Sequence, residues 1–218
     1  MDLVLLFDLD GTLTDSREGI VKSVRYALER LSLPSLPEET LLRFIGPPLE
    51  DSFQRYCGLT EAGAEEAVRL YRERYNPIGV YENLPAPGLA EYCRRWKAEG
   101  CRLALASSKP EHLCEKICQR FGFAESMEVI AGSQPGAGMS KADVIRLCME
   151  RLGLTEAEKR RAVMIGDRRF DAEGAAECGL PCVGVEFFGY AEPGELQAAG
   201  AVAVVRTAEE LDMVLRGL

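Results

Sequence analysis

A chain of 218 residues can hold one large hydrophobic core, or a core and a small second domain. Charged residues make up 28% and hydrophobic residues 47%, an ordinary globular composition. The excess of 35 acidic over 26 basic residues, a net charge of −9, excludes the positive field that would draw the chain to nucleic acid or an anionic membrane. No stretch approaches the ~20 consecutive apolar residues of a membrane span, and acids rather than a basic segment mark the apolar N-terminus, so a cytoplasmic protein is expected.

Leu3 to Phe7 are apolar without interruption and are followed by Asp8, Asp10 and the turn residue Gly11. This pattern predicts a strand buried on both faces, with two carboxylates at its carboxyl end. In open α/β sheets the ligand crevice lies at that end. Two such close carboxylates repel unless a cation or a proton lies between them, and Mg2+, a hard ion that takes oxygen ligands, suits the pair. Asp8 and Asp10 therefore read as a phosphoryl acceptor beside a magnesium site, with Gly11 allowing a sharp turn and Thr12 adding a hydroxyl. The competing reading is a strand followed by a plain Asp-Gly turn.

From Ser16 to Tyr81 the periodicity is helical, with segments over Glu18 to Leu31, Pro37 to Arg55 (broken at Gly46-Pro47-Pro48) and Thr60 to Tyr75. These predict a helical insert over 16–81 between core segments 1–15 and 82–218. From Pro85 onward strand and helix alternate: helix Gly88 to Glu99, strand CRLALAS, helix Pro110 to Phe121, strand MEVIAG, helix Lys141 to Leu152 and strand RAVMIG. A helix from Ala172 to Cys178, strand PCVGV, a helix over Glu192 to Ala199, strand AVAVV and a helix from Ala208 follow. Such alternation predicts an α/β fold with a parallel sheet covered on both faces, a Rossmann-like three-layer core. The loop GSQPGAGM lacks the GxxxxGK[ST] spacing of a nucleotide cradle and reads as a flexible loop.

Three later strand ends carry matching chemistry. Ser107-Ser108-Lys109-Pro110 offers hydroxyls and amides where a helix starts, an arrangement suited to an anion as well as to a simple cap. Lys141 opens a helix and can neutralise a phosphate oxygen and a nearby carboxylate, although a lone lysine is more often solvated. Asp167 leaves the strand VMIG within reach of a metal held by Asp8, and Asp171 sits at the next helix start; the alternative is an Asp turn and an acidic helix cap. Arg168 and Arg169 read as solvated charges near the mouth. The eight cysteines lack zinc-site spacing and histidine partners, so reduced core or surface thiols are expected, and the single histidine, His112, reads as a helix residue.

With four strand ends carrying these groups in this order, the chain resembles the haloacid dehalogenase superfamily over nearly its whole length, in the phosphoglycolate phosphatase-like branch. FDLDGT matches the first motif, ASSKP the second, SKADVI the third and GDRRFD the fourth. The resemblance implies Asp8 as nucleophile, Asp10 as general acid/base, Ser107 as a phosphate-binding hydroxyl and Lys141 as the third-motif lysine. It also implies an acidic metal motif at Asp167 and Asp171 and a helical cap after the first motif. FIGPPL, YENLPAPG, SSKP, GDRRFDAEGA and FFGY are similar to a 5′-nucleotidase-like subgroup. One departure is the absence from GAGMSK of the arginine that relatives often place before the lysine.

The expected activity is a magnesium-dependent phosphomonoester hydrolase acting through an aspartyl phosphate on a small phosphate ester, phosphoglycolate-like or a nucleoside 5′-monophosphate. Mg2+ is expected on Asp8, the Asp10 carbonyl and Asp167, with Asp171 orienting the cluster or ligating. Ser107, Ser108, Lys141, Gly11 and Thr12 are expected to bind phosphate, and Glu18, Arg43 and Gly46-Pro47-Pro48 are candidate specificity contacts in the insert. The alternatives are a phosphomutase using the same residues, a metal-free dehalogenase, which the extra acids disfavour, and an aspartyl phospho-acceptor that does not turn over. A monomer or weak homodimer is expected.

Overall fold

In the computed structural model, described for residues 1–134 and 138–218, the chain divides into two compact units, Met1–Thr14 with Pro85–Leu218, and Asp15–Leu84. Residues 135–137 of the loop expected to be flexible lie outside the described residues.

The first unit is built on six parallel strands: β1 (Val4–Phe7), β4 (Arg102–Pro110), β5 (Val129–Ser133), β6 (Ala162–Gly166), β7 (Cys182–Val185) and β8 (Ala203–Val205). Their spatial order is β5-β4-β1-β6-β7-β8. The chain runs outward from β1 through β4 to β5, then returns to the other side of β1 and runs outward through β6 to β8. The order reverses between β1 and β6, where open α/β sheets form their ligand crevice. Central position explains the unbroken apolar run of β1, since each of its four residues is buried.

Helices cover both faces. On one, Val4, Leu6, Ala104 and Met164 pack against α7 (Lys141–Arg151) and α9 (Arg169–Glu177) through Val144, Ile145, Cys148, Ala172 and Ala175. On the other, Phe7 stacks on Trp96 of α5 (Leu89–Ala98), with ring centroids 6.1 Å apart. The remaining helices of this unit are α6 (Glu111–Phe121), α8 (Glu156–Lys159), α10 (Glu195–Ala198) and α11 (Ala208–Leu215).

The second unit holds α1 (Arg17–Arg30), α2 (Glu38–Leu42), α3 (Leu49–Cys57), α4 (Glu61–Tyr75) and a 3₁₀ turn, Gly79–Tyr81. It has its own apolar interior, in which Phe44 meets Phe53 edge to face at 5.1 Å and Tyr71 stacks on Tyr75. The chain passes between the units at β2 (Thr14–Asp15) and β3 (Leu84–Pro85), which pair as a two-stranded sheet. These two-residue strands and the four-residue α8 are too short for a periodic signal, and sequence reasoning passed over them. It also began α9 three residues late, at Ala172, because Arg169, Phe170 and Asp171 give no apolar period.

Candidate active site

Register alone brings the polar strand ends together. Phe7 pairs with Leu105 on one side and Ile165 on the other. Asp8 is the next residue on the central strand, while Ser107 and Asp167 each lie two residues beyond those partners. The Asp8 amide donates to the Ile165 carbonyl at 2.9 Å, holding the aspartate to the sheet end.

Around Asp8 is a buried charged cluster. Lys141 Nζ lies 2.6 Å from Asp8 Oδ1 and 2.6 Å from Asp171 Oδ1, and its side chain is 7% exposed. The lysine is presented at the first turn of α7, which starts with a capping box: Ser140 Oγ accepts from the Asp143 amide and the Asp143 carboxylate accepts from the Ser140 amide. Asp171 uses its other oxygen to accept from the Arg168 amide at 3.0 Å, closing the start of α9. Both of its oxygens are thus engaged. Asp8, Asp167 and Asp171 can bring one carboxylate oxygen each within 4.8 Å of one another.

The electrostatics follow from burial. Desolvation pushes the Asp8 carboxyl up to about 6 against the opposing pull of Lys141. Asp167 is raised well above the ordinary range, first by burial and then by repulsion from Asp171 and Asp8. For Lys141 burial disfavours the charge, but Asp171 and Asp8 outweigh it and hold the ammonium above its usual range.

Asp167 is the residue that this cluster leaves incomplete. Its Oδ1 accepts from Thr12 Oγ1 at 3.2 Å. Its Oδ2 is buried with no hydrogen-bond donor among the described residues. Gly11, with φ at +90°, leaves open the space beside that oxygen, since a Cβ on it would lie 2.0 Å from Asp167 Oδ2. A buried carboxylate oxygen without a donor, beside two further carboxylates, is a hard-oxygen donor set that fits a small divalent cation.

Ser107 is buried in β4, three residues before its end, and Ser108 is exposed. Thr12 turns its hydroxyl to Asp167 and not to open space. Asp10 pairs with Lys109, whose Nζ lies 2.9 Å from its Oδ1 and 2.6 Å from its Oδ2. Sequence reasoning missed Lys109 in this role. The signal was its place two residues after Ser107, but the pairing spans 99 residues and no local period shows it. Arg168 corrects another expectation, because its guanidinium is largely buried and pairs with Glu195 at 2.9 Å instead of being solvated. Arg169 is exposed. In the second unit, Glu18 is exposed and paired with Lys22 at 2.6 Å, Arg43 caps the end of α2, and Pro48 precedes α3. All eight cysteines are free thiols, and His112 is an exposed residue of α6.

A doubly wound α/β sheet with a buried lysine-aspartate cluster at its switch point defines the class by fold and site. The profile of the haloacid dehalogenase-like hydrolases matches residues 5–185, and the chain belongs to that family. It is 40% identical over 195 residues to a 5′-nucleotidase of Pseudomonas aeruginosa, covering 89% of this chain and 86% of that protein. It is 37% identical over 206 residues to the tyrosine-protein kinase PtkA of Mycobacterium tuberculosis, covering 94% of this chain and 69% of that one. Among solved structures, a predicted phosphatase from Clostridium acetobutylicum superimposes with a TM-score of 0.92 at 37% identity, over the whole of both chains. No helix among the described residues is long and apolar enough to cross a membrane.

Proposed function

We propose that the chain hydrolyses small phosphomonoesters by way of a phosphoaspartate on Asp8. The observation that carries this reading is the buried Asp8 carboxylate held by Lys141 at 2.6 Å, next to an Asp167 oxygen without a donor among the described residues. Asp8 and Asp167 are the side chains that would hold Mg2+, with Asp171 orienting the cluster through Lys141 and the Arg168 amide. When bound, the ion supplies positive charge that screens a phosphate dianion from the acidic cluster and stabilises charge on the transferring phosphoryl group.

The chain's own groups do the rest. Asp8 attacks phosphorus, forming the carboxylate–phosphorus bond as the bond to the leaving oxygen breaks. The Lys141 ammonium and the Ser107 hydroxyl bind phosphoryl oxygens. Asp10 gives its proton to the leaving oxygen, then takes a proton from the water that hydrolyses the acyl phosphate and restores Asp8. The relative named 5′-nucleotidase supports a nucleoside 5′-monophosphate as the substrate; phosphoglycolate-like esters are the other candidates.

Free-phosphate release from a panel of nucleoside 5′-monophosphates, phosphoglycolate and sugar phosphates, with and without magnesium, tests the reading. Turnover is expected to depend on magnesium and to fall by about 1,000-fold or more in Asp8→Asn. A sugar phosphomutase would give an isomerised ester without free phosphate, and a phospho-acceptor would keep the label on Asp8. Activity like that in the name of the mycobacterial relative would move the label to a tyrosine hydroxyl. Any of these outcomes would replace the hydrolase reading.

A further inference from the structure

The Asp10–Lys109 pair goes beyond that scheme, which gives Lys109 no part. Lys109 Nζ bridges both oxygens of Asp10, at 2.6 and 2.9 Å, and the two side chains are only 7% and 14% exposed. A cation this enclosed, in contact with both oxygens of one carboxylate, restricts the rotation of that carboxylate far more than a solvated lysine would.

The position of Lys109 is itself built into the sheet. The register between β4 and β5 shifts between Ser107 and Pro110, so the segment carrying Lys109 bulges from the ladder. The bulge is packed closely on its neighbour: a Cβ on Gly132 of β5 would lie 2.6 Å from the Lys109 carbonyl oxygen and 2.4 Å from the Glu111 Cα. That carbonyl also accepts from Cys114 Sγ at 3.4 Å, and the Lys109 amide donates to Ser107 Oγ at 3.4 Å. One short segment therefore fixes both the Ser107 hydroxyl and the ammonium that meets Asp10.

We propose that Lys109 is a positioning residue for phosphoryl transfer, which orients the Asp10 carboxyl for proton donation to the leaving oxygen. This rests on the hydrolase reading. Asp10 takes up a solvent proton on one oxygen while the other stays on the Lys109 ammonium, and as the bond between phosphorus and the leaving oxygen breaks that proton passes to the leaving oxygen and the leaving group departs as a neutral alcohol. Asp10 is left as a carboxylate facing the Lys109 ammonium, which keeps all its protons throughout. A leaving group that departs as a stable anion needs no such proton, so Lys109 matters in proportion to the basicity of the leaving group.

The test measures kcat/KM, which reports events up to transfer of the phosphoryl group to Asp8, for propyl phosphate and for 4-nitrophenyl phosphate. In Lys109→Met the expected loss is about 100-fold on the alkyl ester and under about fivefold on the nitrophenyl ester. In an Asp10→Asn background the same substitution should cause no further loss on the alkyl ester, because the group through which it acts is gone. Lys109→Arg, which keeps the charge, should restore most of the alkyl-ester activity; if Lys109→Met does not fold, Lys109→Gln, which also removes the charge, and its Asp10→Asn double carry the same comparison.

Equal losses on both esters, or additive losses in the double variant, would overturn the proposal and leave Lys109 a structural residue. A loss confined to KM, and only for leaving groups that carry an anion of their own, would overturn it in favour of direct substrate binding. If the native chain releases phosphate from neither these esters nor the wider panel, the hydrolase reading fails and this inference fails with it.

Discussion

Gly11 shows how much of the site depends on the absence of one side chain. Its φ of +90° costs an L-residue roughly 1–2 kcal/mol, and a Cβ there would collide with Asp167 Oδ2 at 2.0 Å and with the Tyr190 ring at 2.7 Å. Gly11→Ala is expected to lower stability by at least that strain and activity by about 100-fold or more, measured by urea unfolding and phosphate release; near-native activity would show that the space beside Asp167 is not needed. A second residue-scale prediction concerns the single tryptophan. Trp96 Nε1 donates to Asp212 Oδ1 at 2.8 Å, and Arg95 and Arg216 pair with the same carboxylate. Burial would raise its pKa, but the hydrogen bonds from Arg216, Trp96 and Arg95 prevail and bring it down from 3.8 to about 2. A depressed carboxyl contributes stability that is present above its unfolded pKa and is lost as pH falls from about 4 towards 2. The Tm difference between the native chain and Asp212→Asn, followed by Trp96 fluorescence, should therefore be largest near neutrality and shrink below about pH 4. A difference that does not change with pH would remove the ion pairs as its cause.

At the scale of elements, α7 illustrates how a local signal positions a distant group. Ser140 and Asp143 form a reciprocal cap at its start, one residue before Lys141. Ser140→Ala should cost about 1 kcal/mol, equivalent to roughly 2–4 °C in Tm for a chain of this size. Because the frayed turn is the one that carries Lys141, KM for the phosphate ester should rise as well; an unchanged KM would show that the Asp8 and Asp171 contacts alone hold the lysine. The helix beginning at Lys141 was legible from its period, whereas the Ser140–Asp143 cap became visible only in the structure. The extension of β4 through Pro110 was not legible, because it exists only as a shifted pairing with β5. Ser108, Lys109 and Pro110 give no strand signal of their own.

Across the whole molecule, burial governs the thiols. Cys93, Cys101, Cys114, Cys118, Cys148 and Cys182 are buried, whereas Cys57 and Cys178 are partly accessible. Desolvation raises Cys118 and Cys148 to about 12, and places Cys114 well above its ordinary value. A thiol reagent at neutral pH should thus modify Cys57 and Cys178 first, and reach the remaining six only as the chain unfolds, so their rate of modification measures global opening. Rapid modification of all eight thiols in the native protein would contradict the packing described.

By itself the sequence determined the elements and the chemistry waiting at their ends. Apolar runs of strand length, helical periods between them and acids or hydroxyls after the runs that end at Phe7, Ala106 and Gly166 are local features, and a parallel α/β sheet with Asp8, Ser107, Lys141 and Asp167 at its polar end follows from them. Tertiary structure decided which charges meet. Lys141 joins Asp8 across 133 residues and Lys109 joins Asp10 across 99, while Asp167 keeps one buried oxygen without a donor among the described residues. These outcomes depend on strand order and register, which bring residues from four separate segments to one sheet end. They also depend on burial, which removes the water that would otherwise solvate each charge and makes the choice of partner energetically decisive.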